Sequence, residues 1–482
     1  MDYFCCMNKH LVLILAGTAW LASAQAQEKW DLRKCVDYAL ANNISVKQNE
    51  IQTKIAELQA RQLKLSEYPS LNFSGGPAYS NGRNQDPTTF SLITQGFVSA
   101  NMQLQSSAQI FNFYSRKNQQ LASEWTVKAN QASTDKLKND IALMVANGYL
   151  QALLAKEQEK IAAVQLQQSQ AQLANTRKLV DAGALPELNA AELEAQVARD
   201  SSSLISARGN FEQALLSLKS GMTLPADAPM ELDIPPVEKI PVEKIADLQP
   251  ADVLALALVN LPQQRVNDFN LKAAQKNAAA ARGAMYPTLS AFGSLSSAFN
   301  SRTTEISGSS QSNPPIGKVD VGGTAYTVYP IQPYTTYSFK NSGFFKQVDQ
   351  NFRQTIGLSI SVPLFNGGTA RTNWERSKLS VQNVTLQQTA DNLKIKQDIY
   401  QAYNAAMVAL EKFNASQKTV QTAEKSYEFA RKRYEVGMLT TLELITNQNN
   451  LFRAKLEYVL NQFDYVFKMK VLEFYRGQGI KL

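Results

Sequence analysis

Two periods of apolar residues divide the chain. Across residues 114–182 and 369–436, apolar or small side chains recur every three or four positions. They are Leu137, Ile141, Val145, Gly148, Ala152 and Ala155 in the first stretch, and Ile395, Ile399, Ala402, Ala406 and Leu410 in the second. That spacing predicts helices with one packed seam, and the alanines would let neighbouring helices approach closely. No proline occurs between Pro87 and Pro186 or after Pro363, so nothing in either stretch removes a helical hydrogen bond. A single helix over either stretch would be about 100 Å long. A compact domain has no room for it, so coiled coils or the wall of a helical tube are expected.

Elsewhere the period is two. Ile356, Leu358, Ile360, Val362 and Leu364 alternate with Gly357, Ser359, Ser361 and Pro363, and similar patterns begin at Leu71 and Phe73, at Met102 and Leu104, and at Leu289 and Ala291. Alternation predicts strands with one apolar and one polar face, at about 68–81, 100–111, 286–300 and 354–365. Each is long enough to cross a membrane at a tilt, although a soluble sandwich has the same alternation. Tyr68 and Tyr286 start the outgoing strands, and Phe111 and Phe365 end the returning ones. All four fall at one rim, as an aromatic girdle at a membrane interface or as core aromatics at strand ends. Residues 301–343, rich in Ser, Gly, Thr, Tyr and Pro, have no helical period and are expected to form a long loop, with a shorter counterpart at 81–95.

The same plan occurs twice. "EYPSLNFSGG" at 67–76 recurs as "MYPTLSAFGS" at 285–294, a displacement of 218. Downstream, Phe111-Asn112 maps onto Phe365-Asn366, Tyr149 onto Tyr403 and Gly183 onto Gly437, all at 254, so the second copy carries about 36 extra residues in its loop. This divides the chain into a leader at 1–26, a first repeat at 27–220, a Pro-rich connector at 221–249 containing the tandem PVEKI-PVEKI, and a second repeat at 250–482.

Composition removes most catalytic readings. Lys9 and His10 precede an apolar run that ends in Ala22-Ser23-Ala24-Gln25-Ala26, the pattern of a secretory signal peptide read from Met1 or Met7 and cut before Gln25 or Gln27. Its removal takes away the only histidine and two of the three cysteines, leaving Cys35. The remaining inventory excludes a Ser-His-Asp triad, an internal disulfide and any site built from several His or Cys ligands. No catalytic, cofactor or metal site is expected. Cys35 does not directly follow the cleavage site, which argues against a lipid-modified N-terminus. The net charge of +8 is spread among acidic residues along helical faces, as in "AKEQEK" at 155–160, so nucleic acid is not an expected partner.

Four strands are too few to close a barrel and must be completed by other chains. In order and duplication, "WDLRKCVDYALANN", the paired "YPSL" and "YPTL", the paired "IFN" and "LFNGG", and "RYEVGMLTTLEL" resemble the TolC family of outer-membrane efflux proteins across essentially the whole mature chain. That resemblance implies a mixed α and membrane-β fold: a homotrimer whose three chains supply four strands each to a 12-stranded barrel, continued by an α-helical periplasmic tunnel. It implies a passive exit duct in the outer membrane of a Gram-negative bacterium, contacting outer-membrane lipid and serving an inner-membrane pump through a periplasmic adaptor. The rival reading is a periplasmic coiled-coil adaptor, but adaptors carry one helical hairpin and this chain has two.

The resemblance also assigns sites. Val436, Gly437, Met438, Leu439 and Thr440 match the adaptor-docking turn, with Gly183, Ala184 and Leu185 as the first-half counterpart and Pro186, suited to a first helical turn, in place of Thr440. Tyr434 matches a tyrosine that holds the tip closed, and Asn189 and Leu439 stand where its aspartate and arginine partners would be. A gate with fewer ion pairs is therefore expected. Glu443 matches an acidic ring at the entrance, or is simply a carboxylate favoured near a helix N-terminus. Thr446 replaces a second acidic position one turn later.

Overall fold

The computed structural model describes residues 29–85, 90–233, 240 and 242–477. The expected leader and most of the first PVEKI segment lie outside the described residues. The elements run, in chain order, α1 (Leu32–Asn42), α2 (Ile44–Leu65), β1 (Ser70–Gln85), β2 (Leu92–Phe111), α3 (Ser115–Asp181), α4 (Glu187–Met222), α5 (Pro250–Asn260) and α6 (Pro262–Gly283). They continue with β3 (Thr288–Asn300), β4 (Thr304–Ser312), β5 (Gly317–Val321), β6 (Thr324–Val328), β7 (Tyr334–Asn341), α7 (Phe344–Gln350), β8 (Arg353–Ser361), α8 (Thr369–Glu435) and α9 (Thr441–Tyr475). By contact density the chain divides into a helical unit of Met1–Glu57, Trp125–Lys272 and Gln382–Leu482, and a strand-bearing unit of Leu58–Glu124 and Ala273–Val381.

In the helical unit the expected seam is the buried one. Ile141, Val145, Ala152 and Ala155 of α3 are buried, as are Ile395, Ile399 and Ala406 of α8. Two cores form. One joins α1, α3, α4 and α9 through Cys35, Tyr149, Leu153, Leu218, Met222 and Phe463. The other joins α5, α8 and α9 through Val253, Ala257, Ile399, Met469 and Leu472. Gly148 lets α4 come close, since a Cβ there would stand 3.4 Å from Leu218 Cδ1. Burial pushes the Cys35 thiol up to about 12, so this cysteine is an inert core residue. The connector is extended beside Trp30, where Trp30 N–H donates to Glu231 O and Asp233 N–H to Trp30 O, at 2.8 and 2.9 Å, and it turns through a short 3-10 helix at Ile245–Asp247.

In the strand-bearing unit four antiparallel strands form one sheet in the order β1-β2-β3-β8. Its register aligns like with like. Phe73 faces Leu104, and Tyr79 faces Val98; Leu104 faces Leu295; Ala291 faces Leu358, and Leu289 faces Ile360. Directly paired residues share a face, so these form one apolar face and Asn72, Gln105, Ser294 and Thr355 lie on the other. The apolar face is bare on the outer strands, where Phe73 is 69% exposed, Ile356 92% and Leu358 68%, and half-buried at Leu104 and Leu289 between them. Each outer strand, β1 and β8, has one neighbour in the sheet.

Two expectations need correction. The first-half loop at 81–95 is mostly strand, since β1 extends to Gln85 and β2 begins at Leu92; residues 86–89 lie outside the described set. The long second loop is also ordered. It holds a β4–β7 pair, a β5–β6 pair and the short helix α7. Gly322 and Gly323, at φ of 65° and 88°, make the two-residue turn that joins β5 to β6, where both central residues must be left-handed. Short β-branched and aromatic runs such as "KVDV" and "TAYTV" carry this structure, and the surrounding Ser and Gly hide them from a period count. At the other end β8 stops at Ser361, because Pro363 cannot donate to a ladder.

Candidate functional site

The helical unit contains two sharp helix reversals, at Gly183 and Gly437. Both glycines are left-handed, at φ of 73° and 74°. Ala184 N–H donates to Leu179 O at 2.8 Å and Gly183 N–H to Val180 O at 2.8 Å. At the second turn Met438 N–H donates to Arg433 O at 2.8 Å and Gly437 N–H to Tyr434 O at 2.9 Å. These are the two bonds of a Schellman cap, satisfying carbonyls at the ends of α3 and α8. Val436 and Met438 are exposed at the second turn, and Leu439 is half-buried.

The next helices start differently. Thr440 is the N-cap of α9, and its hydroxyl accepts from Glu443 N–H at 3.3 Å. Glu443 returns a carboxylate oxygen that accepts from Thr440 N–H at 3.0 Å and from its hydroxyl at 2.9 Å, completing a capping box. These two bonds hold the Glu443 carboxyl below the usual carboxylate range, the backbone one contributing most. Pro186 is the N-cap of α4, not a first-turn residue, and gives no side-chain cap. Asn189 occupies the third helical position, as Glu443 does in α9, and its N–H donates to Pro186 O at 3.1 Å.

Tyr434 points between two buried threonines. Its hydroxyl is 3.2 Å from Thr176 Oγ1 on α3 and 3.3 Å from Thr441 Oγ1 on α9. Thr176 is 1% exposed and Thr441 2%, and the hydroxyl of the half-buried Tyr434 bonds to each of them. Among the described residues the Asn189 side chain has no hydrogen bond, and within one chain the structure does not bring it to Tyr434. Thr446 turns back onto its own helix, donating to Leu442 O at 2.8 Å.

One heptad along α3 from Thr176, Ser169 begins a second buried polar group. Ser169 Oγ and Gln196 Nε2 donate to the Asp200 carboxylate, the latter at 2.8 Å; Gln448 Nε2 donates to Ser169 Oγ at 3.1 Å. Neither Thr176 nor this cluster was found from the sequence. A signal existed: Ala155, Ala162, Ser169 and Thr176 recur every seven residues, and all are buried.

In the strand-bearing unit, register places Tyr68, Phe111, Tyr286 and Phe365 at one end of the sheet. Ser70 pairs with Ser107, Phe111 with Leu289 and Thr288 with Ser361. All four aromatics are exposed. Phe113, missed in the sequence, links two of them, with ring centroids 5.0 Å from Phe111 and 4.9 Å from Tyr286. Phe113 and Tyr114 adopt φ of 48° and 60° where the chain passes from β2 to α3. No helix among the described residues is long and apolar enough to cross a membrane.

A family model described as outer membrane efflux protein matches residues 35–222 and 253–472. The chain is 21% identical over 429 residues to a probable outer membrane lipoprotein, SilC, of Salmonella typhimurium, a match covering 88% of this chain and 80% of that protein. It is 20% identical over 456 residues to the cation efflux system protein CusC of Escherichia coli O6:H1, covering 93% of this chain and 85% of that one. A crystal structure of the CmeC outer membrane channel of Campylobacter jejuni superposes with a TM-score of 0.71 at 17% identity, over 93% of this chain and 86% of CmeC. At that identity the likeness is one of fold.

Proposed function

We infer the function from one premise: the chain belongs to the outer membrane efflux protein family, and so resides in the outer membrane. This is a family of channels, not of enzymes. We propose that this chain is the exit duct of a tripartite efflux or type I secretion system, conducting cargo passively from a pump and its periplasmic adaptor to the exterior. Three copies would supply twelve strands to one barrel, continued by the α3–α4 and α8–α9 hairpins as a tunnel.

The bare apolar face of the four-stranded sheet carries this reading. A face with Phe73, Ile356 and Leu358 largely exposed is unfavourable in water and favourable in lipid. In lipid the open edges of β1 and β8 could not be left unpaired, so further strands must close the sheet. The rim of Tyr68, Phe111, Tyr286 and Phe365 suits the membrane interface. A periplasmic adaptor would have no use for that face.

Two halves built alike fit the same reading. α3 and α8 each have 67 residues, α1 and α5 each have 11, and α2 and α6 each have 22. We assign the turns 183–185 and 436–440, exposed except at Leu185 and Leu439, to adaptor docking. Tyr434 is the latch of a closed tip, held by the hydroxyls of Thr176 and Thr441, and Asn189 is available to a further partner. Glu443 stays ionised through its capping box and would place one charge per chain in a ring at the entrance.

Outer-membrane fractionation followed by chemical crosslinking tests the assignment. A crosslinked trimer in the outer-membrane fraction is expected, and a soluble monomer would overturn the duct.

A further inference from the structure

The second loop builds a surface that the described residues of the first half lack, and its bare side chains sort by face. In β5–β6 the register pairs Val319 with Tyr326 and Gly317 with Val328, so Val319, Val321, Tyr326 and Val328 share one face while Lys318 and Asp320 take the other. In β4–β7, Ile306 pairs with Phe339 and Ser309 with Tyr337, which puts Ile306, Phe339 and Tyr337 together, opposite Glu305 and Lys340. All seven apolar residues are exposed, with Val321 61%, Tyr326 57% and Ile306 58% accessible. An isolated two-stranded pair is only marginally stable in water, so these faces call for a cover.

The root of the hairpin is fixed. Gln347 on α7 is 1% exposed; its Nε2 donates to Ser342 O at 2.8 Å and Asn300 O at 3.0 Å, and its Oε1 accepts from Asn300 N–H at 2.9 Å. Ser297 Oγ donates to Val348 O at 2.7 Å, and Phe299 packs on Phe344 with centroids 5.1 Å apart. The Glu305 carboxylate is flanked by Lys340 and Lys346. The base of the β4–β7 pair is therefore anchored to β3 and α7.

We propose that these hairpins cover one another between copies of the chain, apolar face to apolar face, forming a collar at the end of the sheet opposite the aromatic rim. This rests on the three-chain barrel. Two observations select a second copy as the occupant. The hairpin is rooted on β3 and returns through α7 directly into β8, an open edge at which the next copy would begin. Its reach also suffices. The nine residues of β4 span about 30 Å, whereas a barrel of about twelve tilted strands is only about 25 Å across. Lys318 and Asp320 would then remain on the solvent side.

Single cysteines in the full chain test this, since the native Cys35 is fully buried. Mild oxidation of cells carrying Tyr326→Cys or Val321→Cys is expected to give disulfide-linked dimers, and Lys318→Cys on the opposite face is expected to give far fewer. Trimer formation is scored separately with an amine-reactive crosslinker. Trimers without a Tyr326→Cys or Val321→Cys disulfide overturn the collar and leave the duct standing, pointing the apolar face to lipid or another surface molecule. Equal disulfide from Lys318→Cys also overturns the collar, because it marks random collision. Absence of trimers overturns the duct reading itself. Replacing residues 304–341 by a short turn is expected to leave trimers that dissociate at a lower temperature; an unchanged dissociation temperature overturns the collar.

Discussion

The turns at Gly183 and Gly437 end their incoming helices with the same two hydrogen bonds and begin their outgoing helices in different ways. Leaving α3 or α8 needs only a left-handed residue and two free carbonyls, and a glycine supplies the conformation in both places. Entering α4 relies on the fixed φ of Pro186, whereas entering α9 uses the side chains of Thr440 and Glu443. The second turn also carries Tyr434, where the first has Val180. Reversing the chain is common to both turns; the first carries an Arg177–Glu194 ion pair between its two helices, whereas the second carries the capping box and the Tyr434 hydroxyl contacts.

The largest expected effect falls on what the turns share. Gly183→Val and Gly437→Val each force a β-branched residue into left-handed backbone, at a cost of about 1–2 kcal/mol. Hydrogen exchange should show similar loss of protection on both sides, and a large difference would break the equivalence. Next comes Tyr434→Phe, which removes the hydroxyl shared with Thr176 and Thr441. At about 1 kcal/mol for a hydrogen bond, it should shift the closed tip toward open by roughly fivefold and raise single-channel conductance in a planar bilayer. Tyr434→Ala should raise it further and Val180→Ala should not; unchanged conductance in both Tyr434 variants would remove the latch.

Thr440→Ala should cost the start of α9 about 1 kcal/mol. Pro186→Ala should cost the start of α4 less, about 0.4–1 kcal/mol, and through the unfolded chain. Pro186→Thr combined with Asn189→Glu would write the missing capping box into α4, and added amide protection in its first turn is the readout.

The smallest effect concerns acid. Because the folded Glu443 carboxyl lies below its ordinary value, its contribution is present above the unfolded value of about 4.3 and is lost as pH falls through the folded one. Protection at Thr440 and Glu443 should therefore fall in that acid window, while the Pro186 turn stays level. Glu443→Lys should also weaken cation selectivity, and unchanged selectivity would leave the carboxylate as a cap alone.

Much of this was legible in the chain. Period three-to-four across residues 114–182 foretold α3 and its seam, period two foretold four strands, and the displacement of Gly183 onto Gly437 found both turns. These features depend on neighbours a few residues apart, and local spacing records them. The partners of Tyr434 were not legible, because Thr176 lies 258 positions away and looks like any other helix threonine. The hairpins at 304–341 were missed for another reason: five-residue strands in Ser- and Gly-rich surroundings are too short to establish a period.

Backbone preference and local periodicity account for the helices, the strands and the glycines that reverse the chain. Which surfaces those elements leave bare follows instead from long-range packing and strand register. The tertiary structure set the register that gathers Phe73, Leu104, Leu295 and Leu358 on one face, and it divided the chain into two compact units. A one-residue slip between strands would have preserved every local pattern and turned that face inside out, and long-range pairing is what excludes it.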